Sequence, residues 1–590
     1  MTLIDELTRS SHEKDSAKTD LMELVSKPQE SNEQQANDPR KTETNEPKIT
    51  SRFVALMLCC LCMSFLMGYQ MLAVSGYLLL KKDFPGEIRW KERLVGVTSG
   101  AAMLGSIVCG QLSDKIGRKK TILLSGVLHI IGSILQTTGV YYTLPGRIFV
   151  SLAFGLSSVA VPVYLAESSP AKYRGYAMVL NQSALIFGLF FSVLLAAAFS
   201  YIKHESWRYL MGFALIPSII QFVGFIWLPE SPRYLLQKGK LDEVEKEMSS
   251  LLVTSNTEEI QTRQDLGGGL EKMSMFHVWK RIVKTPCVWR ALLVCCSLHI
   301  IAQLSGINVV MFYSGIFIKS QIKDDSIALW LSSIPMFANF LFSFVGLYLI
   351  ERIGRRKLLF FSTLGVIISL LFMGIVYLTI ENQSYPVTVF EDVANSSLCI
   401  KHRSCLDCVA DRQCGFCYVN GPSLEVINGS CLPVSQETPS VATGRCNASS
   451  STNQNSLLAW AHNVCPSNLI FWILVGQVLY IACFASGLGS LPWTICAEVY
   501  PMWARSQCNG IVVGVMWLFS WLLTGNFLTL SEQITSYGSY FLMACITLVG
   551  LTFWYIYLPE TKGKKLEETE ALFSKPFCFC FKGYKEKQPL

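Results

Sequence analysis

The chain has 590 residues, 51% of them hydrophobic and only 16% charged, with a formal net charge of +7. Soluble proteins carry about a quarter charged residues, so this composition excludes an ordinary water-soluble globular protein. Lysine and arginine cluster in short loops between apolar runs, so the positive balance reports membrane topology and needs no nucleic-acid partner.

Residues 1–51 are polar and of mixed charge, with Pro28, Pro39 and Pro47 and no apolar stretch of the kind a cleaved signal carries. They predict a disordered cytoplasmic tail, with the first apolar run as an uncleaved anchor. Twelve apolar runs follow, near 53–80, 94–113, 121–142, 145–166, 177–200, 208–228, 287–318, 327–350, 358–380, 468–490, 508–530 and 538–558. Each is close to the ~20 residues that a bilayer core demands. They predict an all-α membrane protein of two six-helix halves. Residues 52–230 form the first half, 231–286 a partly helical intracellular linker, 287–380 and 468–560 the second half, and 561–590 a cytoplasmic C-tail. With the N-terminus inside, the basic clusters at 114–120, 172–174, 233–286, 351–357 and beyond 562 all fall on the cytoplasmic side. Lys81, Lys82, Lys91 and Arg93 dilute the contrast in the first outer loop.

One phrase is written twice. Asp114, Gly117 and Arg118, then Glu167 and Arg174, then Pro229-Glu230-Ser231 recur as Glu351, Gly354 and Arg355, then Glu498 and Arg505, then Pro559-Glu560-Thr561. Acids and bases at matching helix ends can pair across the cytoplasmic face. Asp114, Arg118, Glu167, Arg174, Glu351, Arg355, Glu498 and Arg505 are therefore candidates for an inner latch. Such pairs are individually weak, so alternation between states can break them. Positive-inside anchoring alone explains the bases but not the acids that accompany them. A duplicated six-segment unit places a binding site at the interface of the halves.

The repeat also locates an insertion. Its offset is 237 residues from Gly117 to Gly354 but 331 from Glu167 to Glu498 and 330 from Pro229 to Pro559, so about 94 residues entered between. They map to 381–467, outside the cell. This stretch holds Cys399, Cys405, Cys408, Cys414, Cys417, Cys431, Cys446 and Cys465, and the sequons at Asn382, Asn395, Asn428 and Asn447. Both signal an oxidising, glycosylating compartment. A zinc site at the two Cys-x-x-Cys pairs is the competing reading, and the outer location disfavours it. The run from Cys405 to Tyr418 resembles the plexin–semaphorin–integrin module, which implies a stapled cap or a site for an extracellular partner.

Gly117-Arg118-Lys119-Lys120, Pro162 to Gly175, Pro229 to Arg233, Gln303 to Asn308, Pro492-Trp493 and Pro559 to Gly563 occur in order. Together they resemble the sugar porter branch of the major facilitator superfamily over about residues 52–573. The cysteine-rich loop and the run from Leu558 to Glu568 resemble its myo-inositol cotransporter members. The resemblance implies a transporter of a small polyol or sugar-like solute working by alternating access, with no cofactor and no metal. It implies a multi-pass plasma-membrane protein with both termini cytoplasmic, and allows cycling through vesicles.

The same resemblance exposes departures. Proton-coupled members have Asp after Gly-Tyr in the first segment, whereas this chain has Gly68-Tyr69-Gln70. An amide does not titrate in the physiological range. Arg147 aligns with the arginine that partners that Asp, and a lone arginine in hydrocarbon is costly; the Gln70 carbonyl is the acceptor expected to limit the cost. Asn181 is kept in the fifth segment, but Leu189, Ala302 and Met516 stand where the family has binding-site amides. Each buried hydroxyl left unpaired costs about 1–3 kcal/mol, so these losses predict a substrate unlike glucose, smaller or more apolar. Gln303, Asn308 and Asn339 remain as polar candidates, and Trp493 as a stacking face or an interfacial anchor. His299 lies four residues before Gln303, on the same helical face. It is either an alternative proton site or a neutral histidine bonded between helices. His129 reads as structural. Cys578 and Cys580 are palmitoylation candidates or ordinary thiols.

Three functions remain open at this point: a facilitative transporter, a proton symporter using a group other than residue 70, and a non-transporting sensor. The first two need a moving inner network, which a static receptor does not. No nucleophile–base pattern or phosphate-binding loop occurs to support an enzyme or an ATP-driven pump.

Overall fold

The computed structural model describes residues 50–81, 87–169, 171–202, 204–240, 242–244, 246–247, 275–321, 325–390, 399–411, 413–420, 426–434, 444–446, 458–461, 465, 469–501, 503–560 and 573. The N-terminal tail, Asn395, Asn447, Cys578 and Cys580 lie outside the described residues, as do the side chains of Arg174, Glu351 and Glu498.

Among the described residues, twelve helices are long and apolar enough to cross a bilayer. They are Ser51–Leu80, Arg89–Ile116, Arg118–Thr138, Val140–Ser168, Tyr176–Phe199, Ser206–Trp227, Pro286–Tyr313, Ser326–Ile350, Arg355–Asn382, Phe471–Cys496, Gln507–Thr524 and Ser536–Tyr557. They are called here the first to twelfth spans. Large apolar side chains such as Ile216, Trp227, Phe361 and Val549 point outward, while hydroxyls and small residues fill the contacts between helices. That arrangement suits a hydrocarbon solvent, where close backbone packing replaces the hydrophobic effect as the force between helices. Gly105 and Gly155 illustrate it. A Cβ on either would strike a backbone carbonyl, Leu152 O or Ala102 O, of the facing helix.

Several spans end or break where the local chain dictates. The third stops at Thr138, short of the expected 142, because Gly139 is extended and starts a new helix at Val140. The seventh, read as one run over 287–318, breaks at Ser305 and Gly306, the latter at φ +93°. The tenth contains a π-helical stretch, Phe484–Leu488, before resuming at Leu491 with Pro492 in its first turn. The eleventh ends at Thr524, and a separate helix spans Phe527–Ile534. Gly117 and Gly354 each precede a span with φ of +103° and +96°, a backbone that an L side chain adopts only with strain.

The insertion folds as a small sheet, β1 (Cys414–Asn420), β2 (Val426–Pro433) and β3 (Leu458–Ala461), in the order β2-β1-β3 and antiparallel throughout. Phe416 sits opposite Cys431 and Ala461 and is fully buried. So little apolar surface cannot hold a module of this size. Four disulfides supply the rest: Cys399–Cys414, Cys405–Cys465, Cys408–Cys431 and Cys417–Cys446. With all eight sulfurs bridged, none is left as a thiolate for zinc. Asn428 is exposed at β2, and Asn382 at the end of the ninth span.

Candidate functional site

The break in the seventh span falls between Gln303 and Asn308, with the backbone N–H groups of Ser305 and Gly306 bonded to the carbonyls of Ile301 and Gln303. Asn308 Nδ2 donates to Gln303 Oε1 at 2.7 Å and to Ser520 Oγ at 2.8 Å. Ser520 Oγ in turn meets Ser99 Oγ of the second span at 2.9 Å, so this chain of polar groups crosses from one half to the other. Beside the break, Tyr480 OH bonds the Ser305 carbonyl at 3.1 Å. His299 is buried, its Nε2 has no hydrogen-bond partner, and its ring stands edge-on to Trp493 at 4.9 Å between centroids. Nε2 therefore makes no bond between helices here, and the ring packs against Trp493 instead. Asn339 on the eighth span is buried.

The amide-to-apolar positions Leu189, Ala302 and Met516 are all buried. Next to Met516, Trp517 packs edge-on against Phe154 of the fourth span at 4.9 Å, its indole N–H unpartnered. On the first span, Ser64 Oγ donates to Asn181 Oδ1 at 2.6 Å. Asn181 therefore ties the first and fifth spans.

Gln70 and Arg147 are brought together, but differently from the expectation. Arg147 Nη1 donates at 2.7 Å to the backbone carbonyl of Gln70, and Nη2 donates at 2.9 Å to Thr98 Oγ1. The Gln70 amide nitrogen instead donates to Ser133 Oγ at 2.9 Å, and its side-chain oxygen has no partner. Residue 70 thus supports Arg147 through an atom that any amino acid would supply. Among the described residues no carboxylate forms an ion pair with Arg147, whose Nε is unpartnered. His129 is fully buried with both ring nitrogens unpartnered.

At one end of the spans, Arg118 collects two acids: Asp114 at 3.2 Å and Glu167 at 3.1 Å. Ser231 Oγ donates a short hydrogen bond to Glu167. These pairs lie within the first half. A contact that crosses between the halves here is Gln507 Nε2 to Asp114 Oδ2 at 3.2 Å. In the second half, Arg505 Nη2 donates to the Tyr500 carbonyl at 3.3 Å.

Sequence reasoning missed what the repeated Pro-Glu motif does. Glu230 Oε1 accepts from the backbone N–H of Lys119 at 2.9 Å, in the first turn of the third span. Glu560 does the same for Arg355 and Arg356 in the ninth, at 3.0 and 3.1 Å. A carboxylate at a helix N-terminus satisfies orphan donors and complements the helix dipole. The signal was present in the repeat, since each glutamate recurs with the helix start it caps. Also missed were contacts at the opposite end. Glu92 accepts from Thr529 N at 3.0 Å and Thr529 Oγ1 at 3.1 Å, Ser75 Oγ donates to the Phe312 carbonyl at 2.9 Å, and Trp330 Nε1 donates to Tyr201 OH at 3.1 Å. All three join the halves.

The family model described as "Sugar (and other) transporter" matches residues 56–395 and 457–573. The chain is 39% identical to the human proton myo-inositol cotransporter over 529 residues, covering 88% of this chain and 81% of that protein. It is 33% identical to a proton myo-inositol cotransporter of Caenorhabditis elegans, with 86% and 88% covered. It is 31% identical to a probable inositol transporter of Arabidopsis thaliana, with 89% and 92% covered. In structure it resembles the proton:xylose symporter XylE bound to 6-bromo-6-deoxy-D-glucose, with TM-score 0.63 at 20% identity, over 89% of this chain and all of that one.

Proposed function

The chain belongs to the sugar transporter family, and on that premise we propose that it is a facilitator that carries a small polyol-like solute by alternating access without proton coupling. That it is a multi-pass membrane transporter of the sugar or polyol class, and not an enzyme, follows from the family. The absence of coupling is the finer reading, and one observation carries it. The buried guanidinium of Arg147 rests on a backbone carbonyl and a threonine hydroxyl. Neither acceptor gains or loses a proton in the physiological range, so a proton gradient has nothing to act on there.

The solute site in this reading is the polar path Gln303–Asn308–Ser520–Ser99 with Asn339 and Trp493. Its amides are mutually bonded, so an entering hydroxyl exchanges hydrogen bonds rather than finding free ones. Leu189, Ala302 and Met516 supply no donor or acceptor, which favours a solute with fewer or differently placed hydroxyls than glucose. Glu92–Thr529 and Ser75–Phe312 form the outer gate, and the cluster of Asp114, Arg118 and Glu167 with Gln507 forms the inner latch, to which Arg174, Glu351, Arg355, Glu498 and Arg505 contribute. Both termini face the cytoplasm, at the plasma membrane or in vesicles that cycle to it.

A proton-coupled reading has one observation in its favour: the unpartnered Nε2 of His299 beside Trp493. Uptake of labelled myo-inositol into proteoliposomes, with and without an inward proton gradient, separates the two. Equilibration indifferent to the gradient supports the facilitator. Gradient-driven accumulation that is lost in His299→Gln supports the symporter. Tight, saturable uptake of glucose or inositol would contradict the substrate expectation.

A further inference from the structure

A cleft of about 220 Å³ lies between the second and eleventh spans, lined by Met103, Ile107, Ile511, Val515, Leu518 and Trp279. Gly510 and Gly514 let the two spans approach closely here, since a Cβ on Gly514 would lie 2.7 Å from Ile107 Cγ1 and one on Gly510 3.6 Å from the Ser106 carbonyl. The trough runs beside this glycine contact, and both glycines line it.

The trough does not open toward the solute path. On the eleventh span, 511, 515 and 518 recur at helical spacing on one stripe, whereas Trp517 and Ser520 face Phe154 and Ser99 in the interior. On the second span, Ile107 and its neighbours Leu104 and Val108 are about half exposed, at 47%, 55% and 51%. That exposed strip is the surface that meets hydrocarbon. Apart from Gln111 and Gln507 the side chains that line the trough are apolar, which suits an apolar, linear occupant such as an acyl chain.

Trp279 closes one end, and it comes from the helix Met275–Lys284, which carries no acidic residue. Beside it Lys280 and Lys284 are exposed, and the Arg281 guanidinium lies over the Trp503 ring at 4.4 Å. Apolar residues, a tryptophan and several cations on one short helix are the composition of a segment lying in the headgroup plane. We propose that this cleft is a binding site for one acyl chain of an anionic glycerophospholipid of the cytoplasmic leaflet, with its headgroup held by Lys280 and Lys284. The assignment of leaflet rests on the orientation given above; the binding itself does not depend on the transported solute.

The second and eleventh spans belong to different halves, and the Asp114–Gln507 bond ties them at the same end. A chain in the trough touches both halves together. It therefore favours whichever disposition keeps the trough open, and shifts the balance between states only by its differential affinity for them.

The test uses the full chain in nanodiscs. Two photoactivatable phospholipids with the same diazirine-bearing acyl chain are compared, one phosphatidylserine and one phosphatidylcholine, and the labelled peptides are mapped. The expected result is labelling concentrated on residues 103–111 and 507–518, stronger with phosphatidylserine. Each lysine near the surface contributes about 1 kcal/mol, or about fivefold, to that preference. Val515→Trp should fill the trough and remove this labelling, while labelling around the exposed Ile216 of the sixth span is unchanged. Lys280→Gln with Lys284→Gln should bring the two lipids to parity. Labelling spread evenly over the outward faces of all spans of the unmodified protein would overturn the site, with no variant needed. Equal labelling of the cleft by both lipids would overturn the choice of an anionic headgroup.

Discussion

Gln70→Asp is the substitution that tests coupling most directly. It places a carboxylate on the residue whose backbone oxygen already lies 2.7 Å from Arg147 Nη1. Residue 70 and Arg147 are both buried, so solvent screens their interaction little. At about 4 Å and an effective dielectric of about 20, the attraction between full charges is about 4 kcal/mol. The backbone bond to Arg147 is kept in the variant, so the whole of this attraction, on the order of a thousandfold in an equilibrium, is what protonating the carboxyl removes. Uptake by Gln70→Asp should therefore depend on external pH, and an inward proton gradient should drive accumulation above equilibrium; the unmodified protein should only equilibrate. The assay is time-resolved uptake of labelled myo-inositol into proteoliposomes, at matched and unmatched pH. The reasoning is refuted if the unmodified protein already accumulates solute under the gradient, or if the variant transports but ignores pH. In the second case the Ser133-directed rotamer of residue 70 would be keeping the carboxylate away from Arg147.

Asn308→Ala removes donors to Gln303 and Ser520 and should weaken solute affinity by about 1–3 kcal/mol, on the order of tenfold to a hundredfold in KM; an unchanged KM would remove Asn308 from the site. Glu230→Gln and Glu560→Gln should each lower stability by about 1–2 kcal/mol through lost charge-assisted capping. Because they sit in separate halves, the losses should add in the double variant, as read by thermal unfolding in detergent. Cys405→Ser together with Cys465→Ser opens a loop of 60 residues and should destabilise the outer module by about 4 kcal/mol; limited proteolysis should then cut within 381–467 while transport in vesicles persists. Glycosidase treatment should shift the protein's mobility, and Asn428→Gln should remove part of that shift.

The twelve spans were legible because hydrocarbon leaves the sequence little freedom: a helix must be about 20 apolar residues long. Their breaks were less so. Nothing in the run 287–318 marks Gly306 as a hinge rather than one more small residue, since only its positive φ distinguishes it. The outer module was recognisable from its cysteines, but eight cysteines permit 105 pairings, and position along the chain does not choose among them. At the candidate site, residue types were readable and directions were not. Gln70 was identifiable as the amide that replaces an acid. That its side chain turns to Ser133 while its backbone serves Arg147 depends on a rotamer fixed by the third and fourth spans. Glu230 and Glu560 were visible as repeated letters, yet their partners are helix ends more than a hundred residues earlier, which no local pattern reveals.

Those two glutamates have a mechanical meaning. In each half the end of the sixth span of the unit reaches back to the start of its third, so the four helices from third to sixth, linear in sequence, are joined into a closed hoop at one face. A hoop resists shear between its members better than an open row does. Strain applied at one helix is shared by the others, and the compliant place is left between the two hoops, where a solute would have to pass.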